Sequence, residues 1–229
     1  MDGKRPLRIP LILLTATAVV VAEAVVSGGS EGLSQSAATI VAIARMDIGT
    51  APADFDFART GEGRPGQWTV VRDVTAFDER VIEQSSTDRT NYRFPLAIYR
   101  PISAKNVEVS IRFKAVAGGV DQAGGIAARV IDSNNYYVVR ANALEDNVRF
   151  YRVVRGSRAQ IDGVDIKVAT NVWHTLALKA EGERFTIGYD GKTLFTASDR
   201  TFANAGKIAL WTKSDSVTRF DQIALDVLP

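Results

Sequence analysis

The clearest pattern in the chain is an alternation of apolar and polar residues with a period of two. In the segment 106–114 the apolar positions are Val107, Val109, Ile111 and Phe113, and the polar positions between them are Glu108, Ser110, Arg112 and Lys114. Successive side chains of a strand point to opposite faces, so this alternation predicts a strand with one buried face.

The stretch 124–140 predicts two further strands joined by a tight turn. Residues 124–131 are apolar except for Arg129, and residues 136–140 are mainly aromatic and β-branched. Such residues favour a pleated, largely buried surface. Asp132–Asn135, between the two segments, is a run of residues that form turns through their own side chains.

Similar segments recur every 8–12 residues, which is typical of an all-β sandwich or jelly roll. The pair Asp190-Gly191 predicts a tight hairpin. Pro95 predicts either that its strand lies at a sheet edge or that Pro95 lies at the start of a strand. The predicted strands are 67–72, 79–84, 93–99, 106–114, 124–131, 136–140, 148–154, 159–166, 172–180, 184–189, 193–197, 207–212 and 219–228.

The N-terminal region has a different pattern. Three basic residues precede the apolar run Ile9–Ala22, and Ala22-Glu23-Ala24 offers a cleavage site between small residues. We therefore predict a signal peptide over 1–24, a flexible linker over 25–53 and a single β-sandwich domain over 54–229. This organisation implies a periplasmic or secreted protein, with an uncleaved N-terminal anchor as the alternative.

Composition narrows the set of partners. The chain has 28 Lys and Arg against 26 Asp and Glu, a net charge of +2, and no cysteine. This balance gives no electrostatic reason to expect nucleic acid, or a membrane once the signal peptide is removed. The lack of cysteine excludes a disulfide scaffold and thiol chemistry. We expect a monomer stabilised by its apolar core.

A series of short motifs adds a family resemblance. The motifs are Gln67-Trp68, Val81–Gln84, Asn106–Phe113, Gly125–Arg129, Asp132–Arg140, Trp173–Leu176, Tyr189–Lys192, Gly206–Trp211 and Phe220–Ile223. Their order resembles the concanavalin A-like, laminin G-type jelly-roll superfamily. It is most similar to bacterial exported domains grouped with 3-keto-disaccharide hydrolases, also described as family-16-glycosidase-like. This superfamily includes lectins, carbohydrate-binding modules, glycosidases and adhesion modules, so the resemblance alone fixes no activity.

The residues do not match the catalytic pattern of family-16 glycosidases, which carry several carboxylates on one strand. The analogous strand, Asn106–Arg112, carries only Glu108. A retaining glycosidase needs two carboxyl groups about 5–5.5 Å apart, so this departure argues against that reaction. The catalytic residues of an alternative hydrolase are not identified by the sequence.

The sequence also predicts no dedicated metal or cofactor site. His174 is the only histidine, and a lone histidine at a strand start is more often structural than a ligand. Calcium is possible because carboxylates are available, but the four candidates each have a sufficient role in a turn. These candidates are Asp132, Asp146, Asp190 and Asp215.

A polar and aromatic group predicts a ligand site. Tyr136, Arg140 and Asn142 share one face of their strand, whereas Tyr137 has the opposite parity and belongs to the core. Planar donors and acceptors together with an aromatic ring suit a sugar. The proposed ligand-binding residues are Arg129, Arg140, Asn142, Glu145, Asn147, Trp211, Lys213 and Asp215.

Other interpretations of these residues stay open. Arg129 and Arg140 could pair with Glu145 or Asp146 in a structural network, and Trp211 could be core. The leading hypothesis is an exported carbohydrate-recognition domain that binds a glycan on its concave sheet face without turnover. The alternatives are a glycoside or 3-keto-glycoside hydrolase or lyase, and an envelope scaffold that binds protein.

Overall fold

The computed structural model describes residues 38–229 of the chain, which form fifteen strands and one short 3-10 turn. The strands are β1 Thr39–Ile40, β2 Phe55–Gly61, β3 Trp68–Arg72, β4 Arg80–Gln84, β5 Arg93–Ala104, β6 Val107–Ala117, β7 Ala123–Asp132, β8 Asn135–Asn142, β9 Asn147–Val154, β10 Ser157–Asp165, β11 Trp173–Glu181, β12 Arg184–Tyr189, β13 Lys192–Ser198, β14 Gly206–Trp211 and β15 Val217–Val227. The all-β class is thus confirmed. The predicted signal peptide, 1–24, lies outside the described residues.

The strands form two antiparallel sheets that pack face to face. Sheet A has the strand order β13-β12-β11-β6-β15-β4-β3, with β1 pairing on β15. Sheet B has the order β10-β9-β8-β7-β14-β5-β2. Neighbours in each sheet are often distant in sequence, as β6 and β15 are. This two-sheet antiparallel architecture is the predicted sandwich.

The main core lies between the two sheets. The apolar face of β6 is completely buried there, as its alternation predicts. Tyr137 of β8 lies at the centre of an aromatic group, with its ring centroid 4.6 Å from that of Phe185 and 5.8 Å from that of Phe150. Aromatic pairs at these separations add to the free energy of burial.

The hairpin between β12 and β13 forms where the sequence predicts it. Its two loop residues, Asp190 and Gly191, have φ values of +47° and +74°. Positive φ at both positions is the type I′ geometry that matches the twist of two paired strands. Asp190 also accepts hydrogen bonds from His174 and from the backbone N–H of Thr175, both at 2.8 Å.

The described part of the predicted linker, residues 38–53, is packed on the sandwich. β1 pairs with β15, and the side chains of Val41 and Ile43 are buried in the main core. Backbone hydrogen bonds also join Gly49 and Thr50 to Val70 of β3. Because these residues bury apolar surface and pair their backbone groups, the folded domain begins before residue 54.

Two features of sheet B were not predicted. β2, which pairs along its whole length with β5, is not among the predicted strands. β5 has strands on both sides, so Pro95 does not mark a sheet edge. Pro95 is instead the third residue of β5, in agreement with the alternative expectation of a position at the start of a strand. Within the described residues, no helix is long and apolar enough to cross a bilayer.

The first prediction concerns acid stability and Asp199. Burial alone would raise its pKa, but hydrogen bonds from Thr201, Tyr137 and Arg152 hold the pKa of Asp199 down at about 2. The ordinary pKa in the unfolded chain is about 3.9. The stabilisation is therefore complete above about pH 4 and is lost as pH falls toward 2. We expect Asp199→Asn to reduce the free energy of unfolding at neutral pH by roughly 1–2 kcal/mol.

Urea denaturation of both proteins at about pH 6 and about pH 3 checks this expectation. The difference in free energy of unfolding between the wild type and Asp199→Asn should shrink at the lower pH. An equal difference at both pH values would contradict the assignment.

Candidate functional site

The two faces of sheet B are both apolar along much of their length. Tyr137 and Val139 face the main core, whereas Tyr136 and Val138 face the other side, as their parity predicts. Strands buried on both faces carry nearly continuous apolar sequence. This explains why 124–140 is so uniformly apolar, and it means that the outer face of sheet B must also be covered.

A second core covers that outer face. It is made of residues from β5, β7, β8, β9 and β14, all at most 7% exposed: Phe94, Leu96, Ala123, Ala127, Val130, Tyr136, Val138, Tyr151, Val153, Ala209 and Trp211. The guanidinium of Arg158 lies over this core, 4.4 Å from the ring centroid of Tyr151 and 4.7 Å from that of Phe94. The middle of the face is therefore filled and is not an open groove.

The edges of sheet B approach each other across this second core. Thr60 on the edge strand β2 lies 2.7 Å from the hydroxyl of Tyr136 on β8 and donates to the carbonyl of Ser133. The hydroxyl of Tyr92 donates to the carbonyl of Gly156, in the turn before the other edge strand, at 3.0 Å. The outer face of sheet B is thus the concave face of the molecule.

Trp211 belongs to this second core and not to an exposed binding surface. It is fully buried, its ring centroid lies 5.2 Å from that of Phe94, and its indole N–H donates to the hydroxyl of Tyr136 at 3.3 Å. The interpretation of Trp211 as core is therefore the one the structure supports. It offers no aromatic face to a ligand in this structure.

Arg129 lies apart from the other predicted site residues. The register of β7 with β8 is irregular between Ala128 and Asp132, and Arg129 has a φ of +49°. Its buried guanidinium donates to the carbonyls of Lys105, Phe202 and Gly182 at 2.9, 2.8 and 2.6 Å. Arg129 therefore links the β5–β6, β11–β12 and β13–β14 loops through hydrogen bonds. This corrects its assignment to the ligand site.

Asp215 also has a structural role. Its buried carboxylate accepts backbone N–H bonds from Gly119, Val120 and Asp121 at about 3 Å, which fixes the turn between β6 and β7. These bonds hold the pKa of Asp215 below its ordinary value although burial opposes the shift. These backbone hydrogen bonds are enough to account for the position of Asp215. Asp215 is therefore also removed from the predicted ligand site.

The remaining predicted residues converge at one end of the concave face. We call this group the Arg140 cluster; it consists of Asp121, Arg140, Asn142, Glu145, Asn147, Tyr151 and Lys213. The guanidinium of Arg140 donates to Glu145 Oε2 at 2.6 Å, to the hydroxyl of Tyr151 at 3.1 Å and to Asn147 Oδ1. Only 3% of the Arg140 side chain is exposed, so these acceptors replace the hydration of its two terminal nitrogens, whereas Nε has no hydrogen-bond partner.

A buried ion pair forms the other half of the cluster. Asp121 is completely buried, with Lys213 Nζ in contact with Oδ2 and Asn142 Nδ2 donating to Oδ1 at 2.7 Å. Lys213 Nζ also lies 4.0 Å from Glu145 Oε1. The two acidic and two basic groups balance, so the cluster suits an uncharged ligand.

Local turn chemistry positions Glu145 at the surface of the cluster. Asn142 Oδ1 accepts the backbone N–H of Leu144 at 2.9 Å and of Glu145 at 3.3 Å, a side-chain turn. Asp146 completes the loop with a φ of +48°, a conformation that aspartate tolerates. Glu145 is left with 42% of its side chain exposed, the largest exposure among the charged members of the cluster.

The environment keeps Glu145 ionised. Partial burial would raise its pKa, but the charge and hydrogen bond of Arg140, with Asn147 and Lys213, hold the pKa of Glu145 below its ordinary value. Its Oε1 faces the ammonium of Lys213. The cluster therefore presents an anionic acceptor beside a cationic donor, a pair that two neighbouring hydroxyl groups can bridge.

Two members of the Arg140 cluster, Asp121 and Tyr151, are not among the predicted site residues. Tyr151 could have been found from the hairpin register, because Asn142 opposite Asn147 places Val138 opposite Tyr151 on the face of Arg140. Asp121 had no comparable signal. It reaches the cluster through the turn that Asp215 holds, and that contact joins residues 94 positions apart.

The carboxylates considered for calcium all have hydrogen-bond partners within the described residues. Asp132 accepts the backbone N–H of Asn134, Asp146 accepts that of Val168, and Asp190 pairs with His174. His174 Nε2 accepts the backbone N–H of Ala169 at 3.2 Å, so both its ring nitrogens have partners. Among residues 38–229, no three His, Asp or Glu side chains converge in a way that could hold a metal ion.

The fold is a concanavalin A-like jelly-roll sandwich, which solved structures share. The chain is similar to the carbohydrate-binding module CBM66 from Bacillus subtilis, with a TM-score of 0.60 and 19% identity over 74% of this chain and 94% of that one. It is also similar to the Bacillus licheniformis β-glucanase, with a TM-score of 0.52 and 12% identity over 80% of this chain and 96% of that one.

A third similar structure is the exoplasmic/lumenal domain of VIP36 in its Ca²⁺/Man-bound form. The TM-score is 0.54 and the identity 11%, over 76% of this chain and 83% of that one. No protein-family model matches the sequence, and no curated protein matches it either. At these identities the likeness establishes the fold alone.

The second prediction tests the buried ion pair. We expect Lys213→Met to lower the free energy of unfolding by about 3–5 kcal/mol, because it leaves Asp121 buried without its cation. Adding Asp121→Asn to that variant should restore the greater part of the loss. Lys179→Met, which removes a surface lysine paired with Glu181, is the control and should cost no more than about 1 kcal/mol.

Urea denaturation of the four proteins, including the wild type, gives the required free energies. A double variant no more stable than Lys213→Met would contradict the coupling of Lys213 to Asp121.

Proposed function

We propose that this chain is an exported carbohydrate-recognition domain that binds an uncharged glycan at the Arg140 cluster without turning it over. The observation that carries the proposal is the pairing of a half-exposed carboxylate, Glu145, with a lysine held 4.0 Å away by a buried aspartate. Export is inferred from the N-terminal sequence pattern.

Preorganisation supports a binding role. Arg140, Asn142 and Asn147 are each at most 7% exposed, and each is held by hydrogen bonds inside the cluster. Side chains fixed before a ligand arrives lose little conformational entropy when it binds. The jelly-roll fold adds further support, because CBM66 is a carbohydrate-binding module and the VIP36 structure is a Ca²⁺/Man-bound form.

The location limits how a glycan can approach. The second core fills the middle of the concave face, so a chain cannot lie along it. Glu145 and Lys213 belong to the loops that leave β8 and β14, at one end of the face. A ligand of this site would therefore present a terminal or projecting residue to the cluster.

A glycoside or 3-keto-glycoside hydrolase is the second candidate, and one observation favours it. Asp121 and Glu145 flank Lys213, and burial raises the pKa of Asp121 whereas Arg140 helps to lower that of Glu145. Carboxyl groups with opposed pKa shifts are typical of an acid and base pair. Asp121, however, is completely buried and cannot reach a substrate in this structure. An envelope scaffold that binds protein is the third candidate.

The third prediction tests the proposed site. On a glycan array the purified protein should bind at least one neutral glycan, and Glu145→Gln should weaken that binding by about ten- to a hundredfold. Glutamine keeps the shape of the side chain but removes the charge that Arg140 and Lys213 face. Glu183→Gln, at an exposed carboxylate paired with Arg200, is the matched control and should bind like the wild type.

The same array, run with calcium and with chelator, decides whether calcium takes part. Any glycan that binds is then assayed for release of reducing sugar. Binding without release supports recognition, and release that Glu145→Gln abolishes would favour the hydrolase. If Glu145→Gln binds glycan as the wild type does, the assignment of the binding site to the Arg140 cluster is wrong. If the wild type binds no glycan, the envelope scaffold that binds protein becomes the stronger candidate.

A further inference from the structure

The hairpin formed by β9 and β10 is strongly basic. Residues 147–161 contain four arginines, Arg149, Arg152, Arg155 and Arg158, and no aspartate or glutamate. The whole chain is nearly balanced, with 28 basic against 26 acidic residues. The hairpin therefore carries a local positive charge that the composition of the chain does not show.

Two of these four arginines have no acidic partner. Arg149 and Arg152 each form an ion pair with an aspartate from another segment. No carboxylate in residues 38–229 forms an ion pair with Arg155 or Arg158. Asp132 lies in the β7–β8 turn beside the hairpin, but its carboxylate accepts hydrogen bonds within that turn. The tip of the hairpin is thus left with two uncompensated charges.

Arg158 is held in place by aromatic rings and keeps one edge of its guanidinium open. Its Cζ lies 4.4 Å from the ring centroid of Tyr151 and 4.7 Å from that of Phe94. These contacts stabilise a cation but supply no hydrogen-bond acceptor. Of its side-chain nitrogens only Nη1 is enclosed, and none has a partner among the described residues. The open edge therefore presents Nε and Nη2, two parallel donors that match the two oxygens of a carboxylate.

Arg155 occupies a turn position that favours other residues. Arg155 and Gly156 are the two loop residues of the hairpin, with φ values of +50° and +78°. This is the type I′ geometry, which prefers asparagine, aspartate or glycine at its first position. The Asp190-Gly191 hairpin follows that preference, whereas this one has an exposed arginine. The turn itself does not account for the arginine, and residues in unfavourable conformations are often found at binding sites.

The hairpin tip and the Arg140 cluster lie at opposite ends of sheet B. The backbone N–H of Gly156 donates to the carbonyl of Asn134 at 2.9 Å, which places the tip beside the β7–β8 turn. The cluster lies at the other ends of β8 and β9, roughly 20 Å away at about 3.3 Å per residue. Tyr92 is next to the tip, because its hydroxyl accepts the backbone N–H of Arg158 at 2.7 Å. Its ring is 44% exposed and offers an aromatic surface beside the open edge of Arg158.

These features favour a ligand with few anionic groups attached to a ring. Two unpaired arginines can neutralise about two charges, whereas nucleic-acid binding commonly uses roughly six to ten phosphate contacts. A uronic acid joins one carboxylate to a sugar ring. The carboxylate suits the paired donors of Arg158, and the ring suits the face of Tyr92.

We propose that the tip of the β9–β10 hairpin binds an acidic oligosaccharide. The carboxylate of one uronic acid residue lies on the open edge of Arg158, its ring packs against Tyr92, and Arg155 pairs with the carboxylate of a neighbouring residue. This goes beyond the proposed function, because the ligand is anionic and none of these three residues belongs to the Arg140 cluster. The two ends of sheet B can therefore be tested separately.

Amide spectra of the isotope-labelled full chain, recorded at about 50 mM salt so that screening is weak, test the proposal. The chain is titrated with the trimers of galacturonate, mannuronate and guluronate. We expect at least one trimer to shift the amide signals of Arg155, Gly156 and Arg158 in a saturable way. Its methyl ester, which has the same backbone without the charges, should bind at least about tenfold more weakly.

Two variants and a control separate binding from folding. Arg155→Asn removes the charge and places a favoured residue in the turn, so it should be at least as stable as the wild type in urea and bind the trimer at least about fivefold more weakly. Arg158→Lys keeps a cation over the rings but loses the paired donors, and it should weaken binding similarly. Arg184→Gln, at an exposed arginine of β12 without an ion pair among the described residues, should bind like the wild type.

Unchanged affinity in both Arg155→Asn and Arg158→Lys would overturn the proposal, and so would a panel in which no trimer shifts the signals of the tip. A single-stranded DNA that binds the tip as tightly as the best trimer would also overturn it, because the tip would then recognise charge alone. Neutral glycans report through Glu145 and Lys213, so failure of the proposed function is seen separately from failure of this site.

Discussion

The need to bury both faces of sheet B governs the rest of the structure. β7 and β8 are apolar on their two faces, so one face requires sheet A and the other requires the second core. Sheet B meets this requirement by curving until the edge strand β2 contacts the β7–β8 turn, through Thr60 with Ser133, and Tyr92, just before β5, contacts the β9–β10 turn at Gly156. The same curvature fills the concave face and leaves its polar groups at one end.

Buried arginines stabilise the loops around this curved sheet through carbonyl oxygens. Arg129 contacts three backbone carbonyls, and Arg93 contacts those of Arg64, Pro65 and Ser214 and the hydroxyl of Ser86. Burial lowers the pKa of both guanidinium groups. The ordinary value is so high that they stay charged. A planar guanidinium has five donors, and this lets one side chain hold several loop segments.

The period-two alternation of apolar and polar residues predicted most of the fold. It placed thirteen of the strands close to their observed positions and separated Tyr136 from Tyr137 correctly. It failed at Arg129, because a positive φ and an irregular register change which way a side chain points, and a sequence of apolar residues does not show either. It also missed β2 and the packed segment 38–53.

The predicted site residues likewise fall into two groups: those that the local sequence could bring together and those that it could not. Arg140, Asn142, Glu145 and Asn147 belong to one hairpin, so local register was enough to group them. Trp211 was misplaced because a period-two pattern shows which side chains share a face, not whether that face is covered. Asp121 and Lys213 meet only through the packing of two turns distant in sequence, and no local pattern reports such a contact.

The distinction between binding and catalysis depends on access more than on residue type. The Arg140 cluster holds two carboxylates beside a lysine, which are groups that acid and base chemistry uses. Hydrolysis by an acid and base pair requires that both carboxyl groups reach the substrate directly or through one water molecule. Glu145 is exposed enough to do so, whereas Asp121 is completely enclosed by its contacts with Lys213 and Asn142. With a single accessible carboxylate, the cluster has the means to orient a sugar hydroxyl but not the second group that hydrolysis needs.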